Sequence, residues 1–114
     1  MTSKSPVTTH ILDLGSGTPA AGVAVALYRV DDQQETCIAR GTTDSDGRIM
    51  NWFDDAVEAG HYRIRFATGD WYQAAGLETF FPEVCLDFRI TDPGSHYHVP
   101  LLLNQWGFST YRGS

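Results

Sequence analysis

The chain has 114 residues, 42% of them hydrophobic, with 8 basic against 14 acidic residues and a net charge of −6. This length predicts one domain over residues 1–114, burying roughly 65% of the unfolded surface. The acidic balance argues against a nucleic acid or an anionic membrane as partner, but a few arginines in one pocket could still hold an anionic small molecule.

No apolar run is long enough to span a bilayer, and no apolar stretch follows Met1-Thr2-Ser3-Lys4-Ser5-Pro6. No signal peptide is therefore expected, and the expected location is the cytoplasm. Cys37 and Cys85 lack CxxC spacing and read as small buried hydrophobes kept reduced, with a disulfide as the alternative.

In chain order, a first strand is predicted over Val7 to Leu14, with Thr9 and Ile11 on one face and His10 and Leu12 on the other. Gly15-Ser16-Gly17-Thr18-Pro19 is a loop by its turn residues. Strands follow over Gly22 to Val30, with Val23, Val25 and Leu27 facing the core, and over Thr36 to Thr43. A short one is expected from Arg48 to Trp52. In His61 to Phe66 the residues Tyr62, Ile64 and Phe66 point inward and Arg63 and Arg65 outward, and Val84 to Ile90 repeats the pattern. Between them, Asp70 as N-cap and Gly76 as stop predict one short helix within Gly69 to Gly76. Seven or eight short strands with turn signals predict an all-β, two-sheet antiparallel sandwich.

The last nineteen residues are richer in function than a chain end usually is. His96, His98, Pro100 and Leu102 would share one strand face, and Tyr97, Val99, Leu101 and Leu103 the other. Apolar residues on both faces predict cover on both, the second from another subunit. His96 and His98 project the same way, and His10 joins them as a possible third. The set fits a three-histidine zinc site, an acid/base or substrate-binding group, or plain surface histidines. His61 reads as surface.

Asp44-Ser45-Asp46-Gly47 carries its glycine too early for a calcium loop and reads as a turn. Asp54, Asp55 and Glu58 read as solvated loop acids. Ser109 and Ser114 lack a nucleophile pattern.

Thr9-His10-Ile11-Leu12-Asp13, Asp46-Gly47-Arg48, Phe80-Phe81-Pro82-Glu83, the run from His96 to Leu103 and the ending Tyr111-Arg112-Gly113-Ser114 make the chain resemble the transthyretin-like family. Within that family it resembles the 5-hydroxyisourate hydrolases, which the final tetrapeptide separates from the hormone carriers. Ile11, Trp106 and Phe108 depart mildly from the family pattern.

The resemblance implies a transthyretin-like sandwich assembled as a homotetramer, a dimer of dimers, with active sites in the channel between dimers. It implies hydrolysis of 5-hydroxyisourate to 2-oxo-4-hydroxy-4-carboxy-5-ureidoimidazoline, with no metal and no cofactor. The implied catalytic residues are His10, Arg48 and His98. Substrate binding falls to His10, Arg48, Tyr111, Arg112, Gly113 and Ser114, while His96 matches a less essential position. Histidine suits both proton steps, and the permanent planar cation of Arg48 suits a carbonyl-rich ring. A carrier of an aromatic ligand is the competing expectation, and a purely structural module comes third.

Overall fold

The computed structural model describes residues 4–114, so Met1 to Ser3, part of the leader reading, lie outside the described residues. The strands are β1 (Val7–Asp13), β2 (Thr18–Pro19), β3 (Ala24–Asp31), β4 (Gln34–Thr42), β5 (Arg48–Ile49), β6 (Gly60–Phe66), β7 (Val84–Ile90), β8 (Tyr97–Leu103) and β9 (Phe108–Thr110). A single helix, α1 (Thr68–Ala74), lies between β6 and β7. One sheet runs β2-β1-β8-β9, with β5 also paired to β1, and the other runs β4-β3-β6-β7.

Period-2 alternation builds the core between the two sheets. Val7, Ile11, Val99, Leu101 and Leu103 come from the first sheet and meet Val25, Leu27, Ile64, Phe66, Val84 and Ile90 from the second, all buried. Removing this much apolar surface from water is the main favourable term in folding. The inward and outward residues of β6 and β7 fall as their alternation predicts.

Nine strands stand among the described residues where seven or eight are predicted, since the predicted loop Gly15 to Pro19 pairs its last two residues with β1 as β2. Four further local expectations are corrected. The β1–β8 pair is parallel, with Thr8 opposite His98 and His10 opposite Pro100. The two strands lie at opposite ends of the chain, which supplies the long connection a parallel pair requires. Strand β5 stops at Ile49, because the Trp52 indole donates to the Val7 carbonyl at 2.7 Å and its backbone N–H donates to the Ser5 hydroxyl at 2.8 Å, drawing the chain off the ladder.

The third correction is the helix cap. It is Ala67, with no side-chain hydrogen bond; Asp70 lies inside the first turn, where its charge favours the helix dipole. Gly76 does end the helix, at φ +74°, donating to the Gln73 carbonyl. Lastly, Cys37 and Cys85 are free but exposed. Cys85 occupies an outward position between the buried Val84 and Leu86, so the strand period overrides the thiol's usual preference for burial.

Candidate active site

The site lies on the outer face of the first sheet and is assembled by strand register. Thr8, itself buried, and the half-buried His10 lie on the outer face of β1, alternating with the inward Val7, Thr9 and Ile11. Parallel pairing sets Thr8 beside His98, and antiparallel pairing with β5 sets His10 beside Arg48.

Arg48 is delivered by the preceding turn. The Asp44 carboxylate accepts from the backbone N–H groups of Asp46 and Arg48, both at 2.9 Å, so this acid serves the turn. Gly47 has φ +73°, and a Cβ there would sit 2.5 Å from the Ile11 carbonyl oxygen. Only glycine lets the turn lie this close to β1, and Ile11 N–H seals the approach by donating to the Gly47 carbonyl at 2.8 Å.

The tail closes on the same place. Gly113 N–H donates to the His98 carbonyl at 2.8 Å, and a Cβ on Gly113 would come within 2.6 Å of His98 Cδ2. The missing side chain is what lets the tail pass over the imidazole. Lys4, Thr8, Arg48, Met50, His96, His98 and Ser114 enclose a small cavity of about 90 Å³. Tyr111 and Arg112 line a different groove of about 230 Å³ against Phe88 and Arg89 of β7, and the Arg112 guanidinium stacks 4.3 Å from the centre of the Tyr97 ring. Within one chain, then, Gly113 and Ser114 reach the histidines, while Tyr111 and Arg112 anchor the tail beside them.

Burial holds the imidazole of His98 below its ordinary value, and the nearby His96, His10, Arg48 and Lys4 push it the same way. His10 is lowered by burial and then by the Arg48 cation, against opposing pulls from Asp46 and Asp44. His96 is lowered by burial and Lys4. All three rings are thus biased toward the neutral form, which can accept a proton. Among the described residues no group of three or more His, Cys, Asp or Glu side chains is placed to hold a metal ion, and the three histidines do not converge as zinc ligands would.

Sequence reasoning missed Thr8 and Lys4. Thr8 lies two residues before His10 on the same strand face, and its hydroxyl touches both His96 and His98. The strand period places Thr8 on the face of His10, but only the register with β8 brings His98 to it.

A family model described as HIUase/Transthyretin family matches residues 7–113. The 5-hydroxyisourate hydrolase of Salmonella dublin is 49% identical over 106 residues, covering 92% of this chain and 78% of that protein. Among solved structures, the 5-hydroxyisourate hydrolase of Klebsiella pneumoniae is similar with a TM-score of 0.84 and 41% identity, covering 95% of this chain and 98% of that one. Sea bream transthyretin, solved in complex with thyroxine, superposes with a TM-score of 0.88 at 32% identity, covering 95% and 94%. Backbone shape therefore does not separate enzyme from carrier, and side chains must. The chain belongs to the HIUase/transthyretin family.

Proposed function

We propose that this protein is a 5-hydroxyisourate hydrolase, and that His10, Arg48 and His98 carry the reaction. The observation that supports this best is their arrival on one sheet face through two strand registers, with the tail laid over His98. A neutral histidine takes a proton from water as its oxygen attacks a ring carbonyl. Arg48 faces the negative charge that develops on the carbonyl oxygen, a fixed donor needing little reorganisation. The tetrahedral intermediate collapses with cleavage of the carbon–nitrogen bond. The proton held on histidine then passes to the departing ring nitrogen, leaving an opened ring and a carboxylic acid, which releases its proton to water. His10 and His98 share the two proton steps, and Arg48, Gly113 and Ser114 shape the pocket. Tyr111 and Arg112 hold the tail in place and close the substrate side.

The same reading includes a single domain acting as a homotetramer. A cavity of about 90 Å³ is far smaller than the ~300 Å³ at the low end of ligand pockets, so a second copy would complete it. The half-buried Leu12 and Leu102 flank the histidines, and β7 and β9 leave open sheet edges beside the Tyr111 groove. Two separate surfaces on one chain suit a dimer of dimers. No helix is long and apolar enough to cross a membrane among the described residues. Two exposed unpaired thiols fit a reducing compartment, the cytoplasm.

The test is the decay of freshly made 5-hydroxyisourate with and without the protein. A hydrolase accelerates ring opening catalytically, at protein concentrations far below that of substrate. A carrier would leave the spontaneous rate unchanged.

A further inference from the structure

Thr8 is fully buried, yet its hydroxyl does not take the usual partner of a buried strand threonine, a backbone carbonyl. Its neighbour Thr9 does, donating to the Val99 carbonyl at 2.6 Å. Thr8 Oγ1 instead lies 2.7 Å from Nδ1 of His98 and 2.9 Å from Nε2 of His96. Valine would serve the strand equally well, so the hydroxyl calls for an account of its own.

A hydroxyl has one proton and two lone pairs. Between two neutral imidazoles it donates to one ring and accepts an N–H from the other, so the tautomers of His96 and His98 are tied together. The direction follows from what a base at this site requires. With Nδ1 of His98 held by Thr8, only Nε2 is left to accept a proton, and it has a lone pair only when the ring proton sits on Nδ1. Thr8 then donates to Nε2 of His96. The Thr8 oxygen then receives the Nδ1 proton of His98. The remaining nitrogen of His98, Nε2, keeps its lone pair.

We propose that Thr8 is a positioning residue whose hydroxyl, held between His96 and His98, fixes the His98 proton on Nδ1 and leaves Nε2 as the base that takes a proton from the attacking water. This rests on the reading of the protein as a hydrolase in which His98 handles protons. The step balances. Water loses one proton to Nε2, the ring becomes an imidazolium with its Nδ1 proton still donated to Thr8, and the Nε2 proton passes by way of His10 to the departing ring nitrogen of the substrate. Thr8 neither gains nor loses a proton over the cycle. His96 acquires a supporting part, since it accepts the Thr8 proton and keeps the hydroxyl oriented.

Thr8→Val removes the hydroxyl and keeps the shape, while Thr8→Ser keeps the hydroxyl. Two quantities are measured: kcat and KM on fresh 5-hydroxyisourate, and the ring tautomer of His98 by ¹⁵N NMR without substrate. The wild type is expected to show His98 protonated on Nδ1. Thr8→Val should lose about 10–100-fold in kcat, the size of loss seen when the partner that orients a metal-bound histidine is removed, with little change in KM. Its His98 should lose the fixed tautomer, and Thr8→Ser should recover both properties. An Nε2-protonated His98 in the wild type, or full kcat in Thr8→Val, overturns the proposal. Should Thr8→Val fail to fold, the wild-type tautomer alone decides. A wild type without hydrolase activity would instead sink the functional reading, and the tautomer would still show whether Thr8 sets the ring.

Discussion

The two sheets expose outer faces of opposite electrostatic character. On the β4-β3-β6-β7 face most of the charges neutralise one another. Arg63 bridges Glu35 and Asp87, Arg65 bridges Glu35 and Glu83, and His61 reaches Asp87 at 3.1 Å. Arg63 and Arg65 hold Glu35 below the ordinary carboxylate range, and Arg63, ahead of His61, does the same for Asp87. A wide concavity of about 500 Å³ lies over this sheet; of the charges that line it, Arg65 and Glu83 are paired to each other, which leaves Arg40 with no histidine beside it.

On the other face, among the described residues, no carboxylate forms an ion pair with Lys4 or Arg48, and the histidines beside them are pushed toward neutrality. Cationic and proton-accepting capacity is left for something that is not part of the chain. Paired charges order strands and keep a surface wet, whereas perturbed, unneutralised groups in a cavity are what a reaction can use.

The comparison breaks first, and hardest, at the site. His98→Ala, His10→Ala and Arg48→Ala are each expected to cut turnover of 5-hydroxyisourate, by about 10²–10⁴-fold for a histidine that transfers protons. The oligomer should stay intact by light scattering. His96→Ala should cost less, because Thr8 can still receive the His98 proton without it. A larger loss at His96 than at His98 would reverse their assigned roles.

Gly113→Ala is the next largest. Its new methyl meets the His98 ring, and a shift of about 1 Å in a catalytic group can cost about 10²-fold. Deleting Tyr111 to Ser114 should do at least as much. Both changes should lower the melting temperature only modestly, since these residues lie outside the buried core. Full activity in the deletion variant would show that the tail has no part in the site.

The pH dependence sharpens the contrast. The histidines of the site sit below the ordinary imidazole value of about 6.5, so kcat/KM should hold from neutral pH downward and fall with an acid limb centred below 6.5. Stability follows the same sign. Above about 6.5 the rings are neutral in both folded and unfolded chains and contribute nothing. As pH falls below it, the unfolded chain takes up protons that the fold resists, and stability is lost. An acid limb at or above 6.5 would mean that burial and Arg48 do not govern these rings.

The smallest effect belongs to the other face. Arg63→Ala should lower the melting temperature slightly, less so in high salt, and leave kcat unchanged.

Much of this was legible in the sequence, for a physical reason. Where one face of a strand is dry and the other wet, alternation records the fold directly, as in Tyr62-Arg63-Ile64-Arg65-Phe66 and in the His96 and His98 pair. What stayed hidden depends on long-range register. Nothing local to Thr8 announces that a strand 90 residues away will bring His98 to its hydroxyl, since threonine in a strand reads as ordinary β propensity. The parallel β1–β8 pairing is hidden for the same reason. The exposed Cys85 shows a residue preference yielding to strand phase, and Ala67 shows a helix start set by its surroundings without any capping side chain.

The most direct test of the claim that one face works and the other only supports is a single assay on one residue from each. Wild type, His98→Ala and Arg63→Ala are compared for their effect on the decay of fresh 5-hydroxyisourate, at equal concentration and confirmed fold. The account predicts strong acceleration by the wild type and by Arg63→Ala, and its near loss in His98→Ala. Equal activity in the wild type and His98→Ala, or a loss in Arg63→Ala matching that in His98→Ala, would contradict it.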